Sequence, residues 1–374
     1  MKEYVYADNA ATTQMDKIAY DAMTTFFLEE YGNASQPYAF ARHPRNALQE
    51  AREIIASCIG ASPKEIFFTS GGTESDNWAI KGIALADGII HSIVTSSFEH
   101  HAVLHSCNSM ERLGHRVVYV NPTKEGLITV ETLKEHMSDA VDFVSIMLVN
   151  NEIGTIQPIK ELCEFVHARR ALFHTDAVQA VGHMLVNVKE LGVDFLSASA
   201  HKFNGMKGCG FLYISKNCEL TAYADGGAQE YGHRAGTENV AGIVAMAAAL
   251  KNNIDQLEDN RKHILGLEKE LLDRLALTEI PFVRNGGDIT LPGLISLSFP
   301  GADGEAILHR MDLMGICIST GSACNSKDTE ISHVLKAIEL DENLAKGTIR
   351  ISLGKYNTVE DVGKIVNGLQ KILM

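Results

Sequence analysis

The sequence predicts an α/β fold with a mostly parallel central sheet flanked by helices, followed by a smaller α+β domain. Between about residues 64 and 215, short apolar runs alternate with helical patterns, which is typical of consecutive βαβ units. A long helical pattern over residues 239–276 follows, and a second alternation of strands and helices lies beyond it. The length of 374 residues is enough for two or three domains.

The first alternation predicts the strands and helices of the larger domain. Six apolar runs are expected to be strands: Ile66–Thr69, Ile93–Ser97, Val117–Val120, Phe143–Val149, Leu172–Thr175 and Phe195–Ser197. The periodic stretches between them predict helices, among them Glu74–Ala86, His101–Arg112 and Ile159–Arg170. Gly210–Ile214 is expected to be one more strand, and its orientation is left open between parallel and antiparallel. Strands joined through helices imply that most of the sheet is parallel.

The second alternation predicts the smaller domain. The helical pattern of residues 239–276 is broken near Glu258–Asp259. Beyond it, strands and helices are expected in the order Leu294–Leu297, Gly304–Met311, Gly315–Ser319, Ser332–Ile338, Thr348–Ser352 and Val359–Ile372. The first dozen residues are expected to form an extended arm that joins one of the two bodies. We therefore divide the chain into a large domain, residues 13–255, and a small domain formed by residues 1–12 and 256–374.

Composition narrows the class of protein. The formal net charge of −14, from 33 basic and 47 acidic residues, disfavours a broad nucleic-acid or membrane surface. The N-terminus is too polar for a signal peptide, and the longest apolar run, Ala241 to Leu250, is too short to span a bilayer. Seven cysteines without a Cys-x-x-Cys pair argue against a disulfide framework and a zinc ribbon. These features predict a cytoplasmic protein.

A glycine turn follows the strand predicted at Ile66–Thr69 and opens a helix. The N-terminus of a helix presents unpaired N–H groups that suit a phosphate, and Gly71 and Gly72 let a ligand approach the backbone. Thr73 could add a hydroxyl donor. The alternative is a plain tight turn in which Thr73 is the N-cap and Asp76 the acid of a capping box. The run is not G-x-G-x-x-G, so a dinucleotide site is not favoured.

Two residues with complementary chemistry end neighbouring predicted strands. Asp176 closes one apolar run, and Lys202 follows another in Ser199-Ala-His-Lys. Ligands of open α/β sheets bind at the carboxyl ends of strands. A carboxylate can keep a pyridine nitrogen protonated and a lysine can form a Schiff base, which together suit pyridoxal 5'-phosphate (PLP). The alternatives are that Asp176 is a helix N-cap and that Lys202 is an ordinary surface lysine.

A cysteine in a loop of small residues adds a nucleophile. Cys324 lies in Thr-Gly-Ser-Ala-Cys-Asn-Ser, residues 320–326, which could expose and move a thiol. The other six cysteines lie in apolar, helical or turn patterns. An inert loop cysteine is the alternative. Taken with Lys202 and Asp176, Cys324 predicts an enzyme that takes sulfur from an amino acid.

Further polar residues are candidates for the same pocket. Arg350 interrupts an apolar strand pattern, where it could grip a carboxylate or form a structural ion pair. Asn151 ends another predicted strand. His100 opens a helix and is expected to lie flat against an aromatic ring. His101 and His105 share a helical face, but no third ligand is suggested, so no metal is expected.

With these residues in place, the chain resembles the NifS/IscS-type cysteine desulfurases, of the class V aminotransferase group of fold-type I PLP enzymes. The similarity runs nearly end to end. The motifs that carry it are Asp8–Thr13, Thr69–Asn77, Glu99-His100, Asn150–Gly154, Asp176–Gln179, Ser199–Lys202, Arg234–Thr237, Gly321–Cys324 and Ile349–Ser352. The resemblance implies a large PLP-binding domain with a mostly parallel sheet, and a small domain that carries the cysteine loop.

The resemblance also implies a role for each motif residue. Lys202 would bond the cofactor, His100 would stack on its ring, Asp176 would pair with the ring nitrogen and Gln179 with the phenolic oxygen. The phosphate ligands it implies are Gly72, Thr73, Ser199, His201 and, across a dimer interface, Thr237. Asn151 and Arg350 would hold the substrate carboxylate, and Cys324 would carry the persulfide.

The activity implied by the resemblance is cysteine desulfuration. A homodimer would convert L-cysteine to L-alanine and pass the sulfur to an acceptor protein for iron–sulfur cluster assembly or thiolation, with the acceptor's identity left open. Selenocysteine lyase activity or another class V reaction is the alternative, although transamination has no use for a loop thiol. Met206 and Ile331 stand where the family usually has prolines.

Overall fold

The structure is a computed structural model that describes residues 4–137, 141–320 and 331–374. Its strands are β1 (Val5–Tyr6), β2 (Ile66–Thr69), β3 (Ser92–Ser96), β4 (Arg116–Val120), β5 (Phe143–Ser145), β6 (Leu172–Asp176), β7 (Phe195–Ser199), β8 (Gly210–Ile214), β9 (Val283–Asn285), β10 (Leu294–Ser298), β11 (Ile316–Cys317) and β12 (Thr348–Ser352). Its α-helices are α1 (Lys17–Leu28), α2 (Arg42–Cys58), α3 (Gly72–Ala84), α4 (His101–Arg112), α5 (Val130–Lys134), α6 (Ile159–His167), α7 (Val188–Leu191), α8 (Val240–Asp255), α9 (Leu257–Ala276), α10 (Gly304–Leu313), α11 (His333–Ala337), α12 (Glu342–Lys346) and α13 (Val359–Leu373).

A seven-stranded sheet forms the centre of the larger body. Its strand order is β2-β8-β7-β6-β5-β3-β4, and β8 runs antiparallel to both of its neighbours while the other pairs are parallel. The mostly parallel sheet is therefore confirmed, and the strand whose orientation was open is antiparallel. Because β2 and β7 both oppose β8, their carboxyl ends lie at the same edge of the sheet as those of β6, β5 and β3.

The glycines at this edge allow two backbone segments to meet. Gly71, between β2 and α3, has a φ of +146°, which side-chain-bearing residues rarely adopt. A Cβ added to Gly210, at the start of β8, would lie 2.6 Å from the Cα of Gly71 and 2.5 Å from the carbonyl oxygen of Ala198. Only glycine at position 210 lets the turn before α3 lie against the sheet.

A buried ion pair links α2 to the loop that follows the large sheet. The guanidinium of Arg52 donates to both carboxylate oxygens of Glu230, at 2.9 and 2.7 Å, and to the carbonyl oxygen of Ile66. Glu230 also accepts the backbone N–H of Phe68 at 2.9 Å. Since both side chains are nearly inaccessible, each charge depends on the other for compensation.

The chain's first and last parts meet in a second body. β12, β10 and β9 form an antiparallel sheet, and β1 pairs in parallel with β11. The N-terminal segment is thus the predicted arm, and it continues past β12, where Asp8 bridges to Ser352. A hydrophobic cluster of its own lies here, formed by Val5, Ala7 and buried residues between 267 and 369.

Most predicted elements of regular structure are confirmed, with differences at their ends. β5 stops at Ser145, whereas the apolar run predicted a strand as far as Val149. The remaining residues of that run are buried in irregular backbone, where the N–H of Leu148 binds the carbonyl of Asp176. The long helical pattern breaks at Gln256, two residues before the predicted point. Among the described residues, no helix combines the length and apolar character needed to cross a bilayer.

Candidate active site

A cavity of about 720 Å³ lies at the carboxyl edge of the large sheet. This volume is typical of a site for a small ligand or cofactor. Ten residues predicted for the site line it: Gly72, Thr73, His100, Asn151, Asp176, Gln179, Ser199, His201, Lys202 and Arg350. Thr320 and Ile331, on either side of the stretch 321–330, line it as well. The structure therefore brings together residues up to 278 positions apart in the chain.

Two predicted site residues are not part of this group. Thr237 is exposed and does not line the cavity of its own chain. Cys324 lies outside the described residues. The roles predicted for both remain predictions.

Asp176 ends β6 at the base of the cavity. Its Oδ1 accepts the N–H of Val178 at 2.9 Å, which is the local contact expected of a helix-capping acid, although no helix begins there. Burial raises the pKa of Asp176 from 3.8 to about 6, while this N–H and the charge of Lys202 act in the opposite direction. The carboxylate is thus a buried acceptor that a cationic ring nitrogen would stabilise.

Lys202 stands at the end of a short 3₁₀ turn that follows β7. Its Nζ donates to the carbonyl oxygen of Ala11 at 2.9 Å and also to that of Ala10. The amide of Gln179 donates to the same Ala10 oxygen at 2.9 Å. The N-terminal arm therefore supplies backbone acceptors to the site, a contribution that the sequence analysis did not predict.

His100 is the N-cap of α4, and its Nδ1 accepts the N–H of Ala102 at 3.1 Å. Burial first, and then the charges of Lys202, His101 and His105, lower the pKa of His100 to about 4. The imidazole is therefore neutral near pH 7. A neutral ring that lines the cavity can pack against a planar ligand without the cost of a buried charge.

The part of the cavity lining at the start of α3 suits an anion. α3 begins at Gly72 with Gly71 as its N-cap, so its free N–H groups face the cavity lining. The alternative in which Thr73 is the N-cap is wrong. Lys207, which the sequence analysis did not single out, also lines the cavity and adds a positive charge.

Arg350 lies in β12 and is almost fully buried. Its Nη2 donates to Oδ1 of Asp8 at 2.8 Å, and its Nη1 donates to the carbonyl oxygen of Asn151 at 2.9 Å. Its Nε is buried without a hydrogen-bond partner. The structural ion pair is therefore present, and one donor remains for a further acceptor.

Asp76 and Glu152 are among the acidic residues of the cavity lining that were not predicted to contribute to the site. Asp76 is on the first turns of α3, and Glu152 follows Asn151. Glu152 accepts the hydroxyl of Ser332 at 2.6 Å, and burial raises the pKa of Glu152 to about 7. Neither acid has a local signal of burial, because both lie in polar stretches of sequence.

Within the described part of the chain, Asp76, His100 and Asp176 bring one ligand atom each within 4.8 Å of one another. His101, which lines the cavity, makes ring contacts with two other histidines: its centroid lies 5.1 Å from that of His105 and 4.7 Å from that of His333. The expectation of no metal stays a prediction.

These residues fit PLP on their own geometry. A glycine turn at a helix N-terminus can cradle its phosphate, a buried carboxylate can pair with its ring nitrogen, and the Lys202 side chain lines the same cavity. Arg350 lines the same cavity, and its Nε is buried without a hydrogen-bond partner.

Comparison with known proteins shows the family of the chain. Residues 5–365 match the family described as aminotransferase class V, so the chain belongs to that family. Within it, the chain is 46% identical to a cysteine desulfurase IscS of Dictyoglomus turgidum, over 100% of this chain and 95% of the relative.

Solved structures give the same grouping. A NifS-like protein superposes with a TM-score of 0.93 at 36% identity, covering 99% of both chains. SspA in complex with cysteine superposes with a TM-score of 0.85 at 34% identity, covering 95% of this chain and all of that one. The fold is therefore that of the NifS-like proteins, as the sequence analysis predicted.

Proposed function

We propose that the protein is a PLP-dependent cysteine desulfurase that takes sulfur from L-cysteine and leaves L-alanine. The observation that carries this proposal is the convergence of Lys202, Asp176 and His100 on one cavity in a chain whose relatives are cysteine desulfurases. A solved relative holds cysteine, which supports cysteine as the substrate.

PLP, when bound, supplies an electron sink that weakens bonds next to the substrate Cα. Asp176 would keep the proton on the ring nitrogen, and His100 would pack against the ring. Lys202 would hold the cofactor and would move the proton of the substrate Cα. Gln179 would contact the phenolic oxygen, and the turn at Gly72 would hold the phosphate.

The substrate carboxylate binds Arg350 and Asn151. The thiolate of Cys324 attacks the substrate sulfur, so one S–S bond forms as the substrate C–S bond breaks. The electron pair of the C–S bond stays with the carbon skeleton, which takes up a proton and leaves as alanine. The sulfur remains on Cys324 as a persulfide, ready for an acceptor thiol.

Two variants test the reaction. Lys202→Ala should lose the visible absorption band of the PLP-loaded protein, because the band depends on the covalent bond to the lysine. Cys324→Ala should keep this band yet release no sulfide from cysteine, and Cys317→Ala serves as its matched control. A colourless wild type after reconstitution with PLP, or full turnover by Cys324→Ala, would contradict the proposal.

We propose further that the enzyme is a homodimer in which Thr237 completes the phosphate site of the partner subunit. The exposure of Thr237, away from its own cavity, supports this arrangement. Ser199 and His201 complete the phosphate ligands within the chain. Equilibrium sedimentation measures the dimer, and Thr237→Ala should weaken PLP binding without changing the mass.

The proposal also covers the sulfur acceptor, the cellular compartment and the division of the chain into domains. A sulfur-acceptor protein takes the persulfide from Cys324, in the cytoplasm. The domain division at residues 12 and 255 is supported by the separate hydrophobic cluster of the second body. A persulfide-loaded enzyme, incubated with candidate acceptors and analysed by mass spectrometry, identifies the protein that gains the sulfur.

A further inference from the structure

A second carboxyl group lies beside Asp176 at the base of the cavity. Asp76, on α3, is almost fully buried, and its Oδ1 has no hydrogen-bond partner. One oxygen of Asp76 lies within 4.8 Å of one oxygen of Asp176, and both residues line the cavity. The proposed function gives a role to Asp176 alone, so the second acid needs an explanation.

The groups around the pair decide which acid holds a proton. Asp176 is favoured as the anion, because it accepts the N–H of Val178 and faces the positive charge of Lys202. Asp76 has neither a backbone donor nor a cation beside it. His174 lies 3.6 Å from Asp76, but both of its ring nitrogens contact serine hydroxyls, at 2.8 and 2.9 Å.

The remaining charged or titratable neighbours do not supply a counter-charge either. Burial lowers the pKa of His174 to about 3, so this imidazole is neutral near pH 7. His100 is neutral for the reason given above, and burial raises the pKa of Glu99 to about 8. Burial first, and then the charge of Asp176, raise the pKa of Asp76 well above its ordinary range, and a hydrogen bond from the Ser197 side chain offsets only part of this rise.

We propose that Asp76 is a positioning residue that holds the single proton of the Asp76–Asp176 pair and so keeps Asp176 as the anion that faces the cofactor. The identity of the ligand in this inference rests on the proposed function. The location of the proton on Asp76 does not depend on it. With Asp176 removed, Asp76 loses its repelling neighbour and becomes the group that can ionise toward a pyridinium.

The first test measures the proton directly. Infrared difference spectra of the holoenzyme at neutral pH should show the C=O stretch of a protonated carboxyl that disappears in Asp76→Asn. Glu99→Gln is the matched control and should remove a different band. The same spectra are recorded without PLP. A wild type that fails to bind PLP would therefore contradict the proposed function, while the protonation of Asp76 could still be measured. An unchanged carboxyl region in Asp76→Asn would overturn the inference.

The second test is a double-mutant cycle on the dissociation constant of PLP, read from cofactor absorption. Asp76→Asn should weaken binding less than about threefold, since an amide replaces a neutral acid of the same shape. Asp176→Asn should weaken it by about tenfold, and the double variant by at least tenfold more. Equal effects of Asp76→Asn in both backgrounds would overturn the inference. Asp76→Ser serves the same comparison if Asp76→Asn does not fold.

Discussion

Asp176→Asn should stabilise the protein in the absence of PLP while weakening its hold on the cofactor. Burial raises the pKa of Asp176 from 3.8 to about 6, so the folded state binds this proton more tightly than the unfolded state does. At about 1.36 kcal/mol per pKa unit, the ionised carboxylate costs the cofactor-free protein ~3 kcal/mol. Asparagine keeps the acceptor for the N–H of Val178 and carries no charge.

The pH dependence follows from the same two pKa values. The folded state retains its proton where the unfolded state has lost it, so the wild type loses stability as the pH rises from about 4 to about 6. The variant lacks this loss. Its gain should be ~3 kcal/mol at pH 8 and about half of that at pH 5, midway between the two values.

Urea unfolding without PLP, at pH 5 and pH 8, measures the gain. Asp288→Asn, which changes an exposed acid, is the control and should leave the free energy of unfolding within about 0.5 kcal/mol of wild type. A gain that is equal at both pH values, or a loss of stability at pH 8, would refute the argument that a buried charge is responsible.

Three further predictions concern other parts of the molecule. Arg350→Lys should raise the KM for cysteine by about 10- to 100-fold in steady-state assays, because lysine cannot reproduce the planar fork, and an unchanged KM would reassign the residue. Glu230→Gln should lower the free energy of unfolding by about 3 kcal/mol in urea, since the charge of Arg52 loses its buried partner, whereas Asp21→Asn in an exposed pair should cost under about 1 kcal/mol. Gly210→Ala should weaken PLP binding in a titration, because its methyl group would displace the turn before α3; full affinity would show that the turn adapts.

The sequence predicted the sheet and its active edge because local patterns carry that information. Asp176 and Lys202 each follow an apolar run, and parallel strands bring such ends together. The apolar run at Phe143–Val149 predicted a strand that is too long, for a related reason. Its last residues are buried like a strand but in irregular backbone, and burial alone does not distinguish the two.

The contribution of Asp76 could not be predicted, because the sequence offers an ordinary use for an acid early in a helix. Its burial arises from packing of α3 against β6 and β7, which are about a hundred residues away in the chain. The contacts of Ala10 and Ala11 with Lys202 could not be predicted for another reason. They are made by backbone carbonyls, which every residue has. The roles of Cys324 and Thr237 and the domain division remain predictions.

The course of the N-terminal arm has a consequence for how the protein is made. Its residues pair with β11 and β12, and Ala10 and Ala11, which follow directly, contact Lys202. A nascent chain emerging from the ribosome therefore carries an unfinished site until residue 352 has left the exit tunnel.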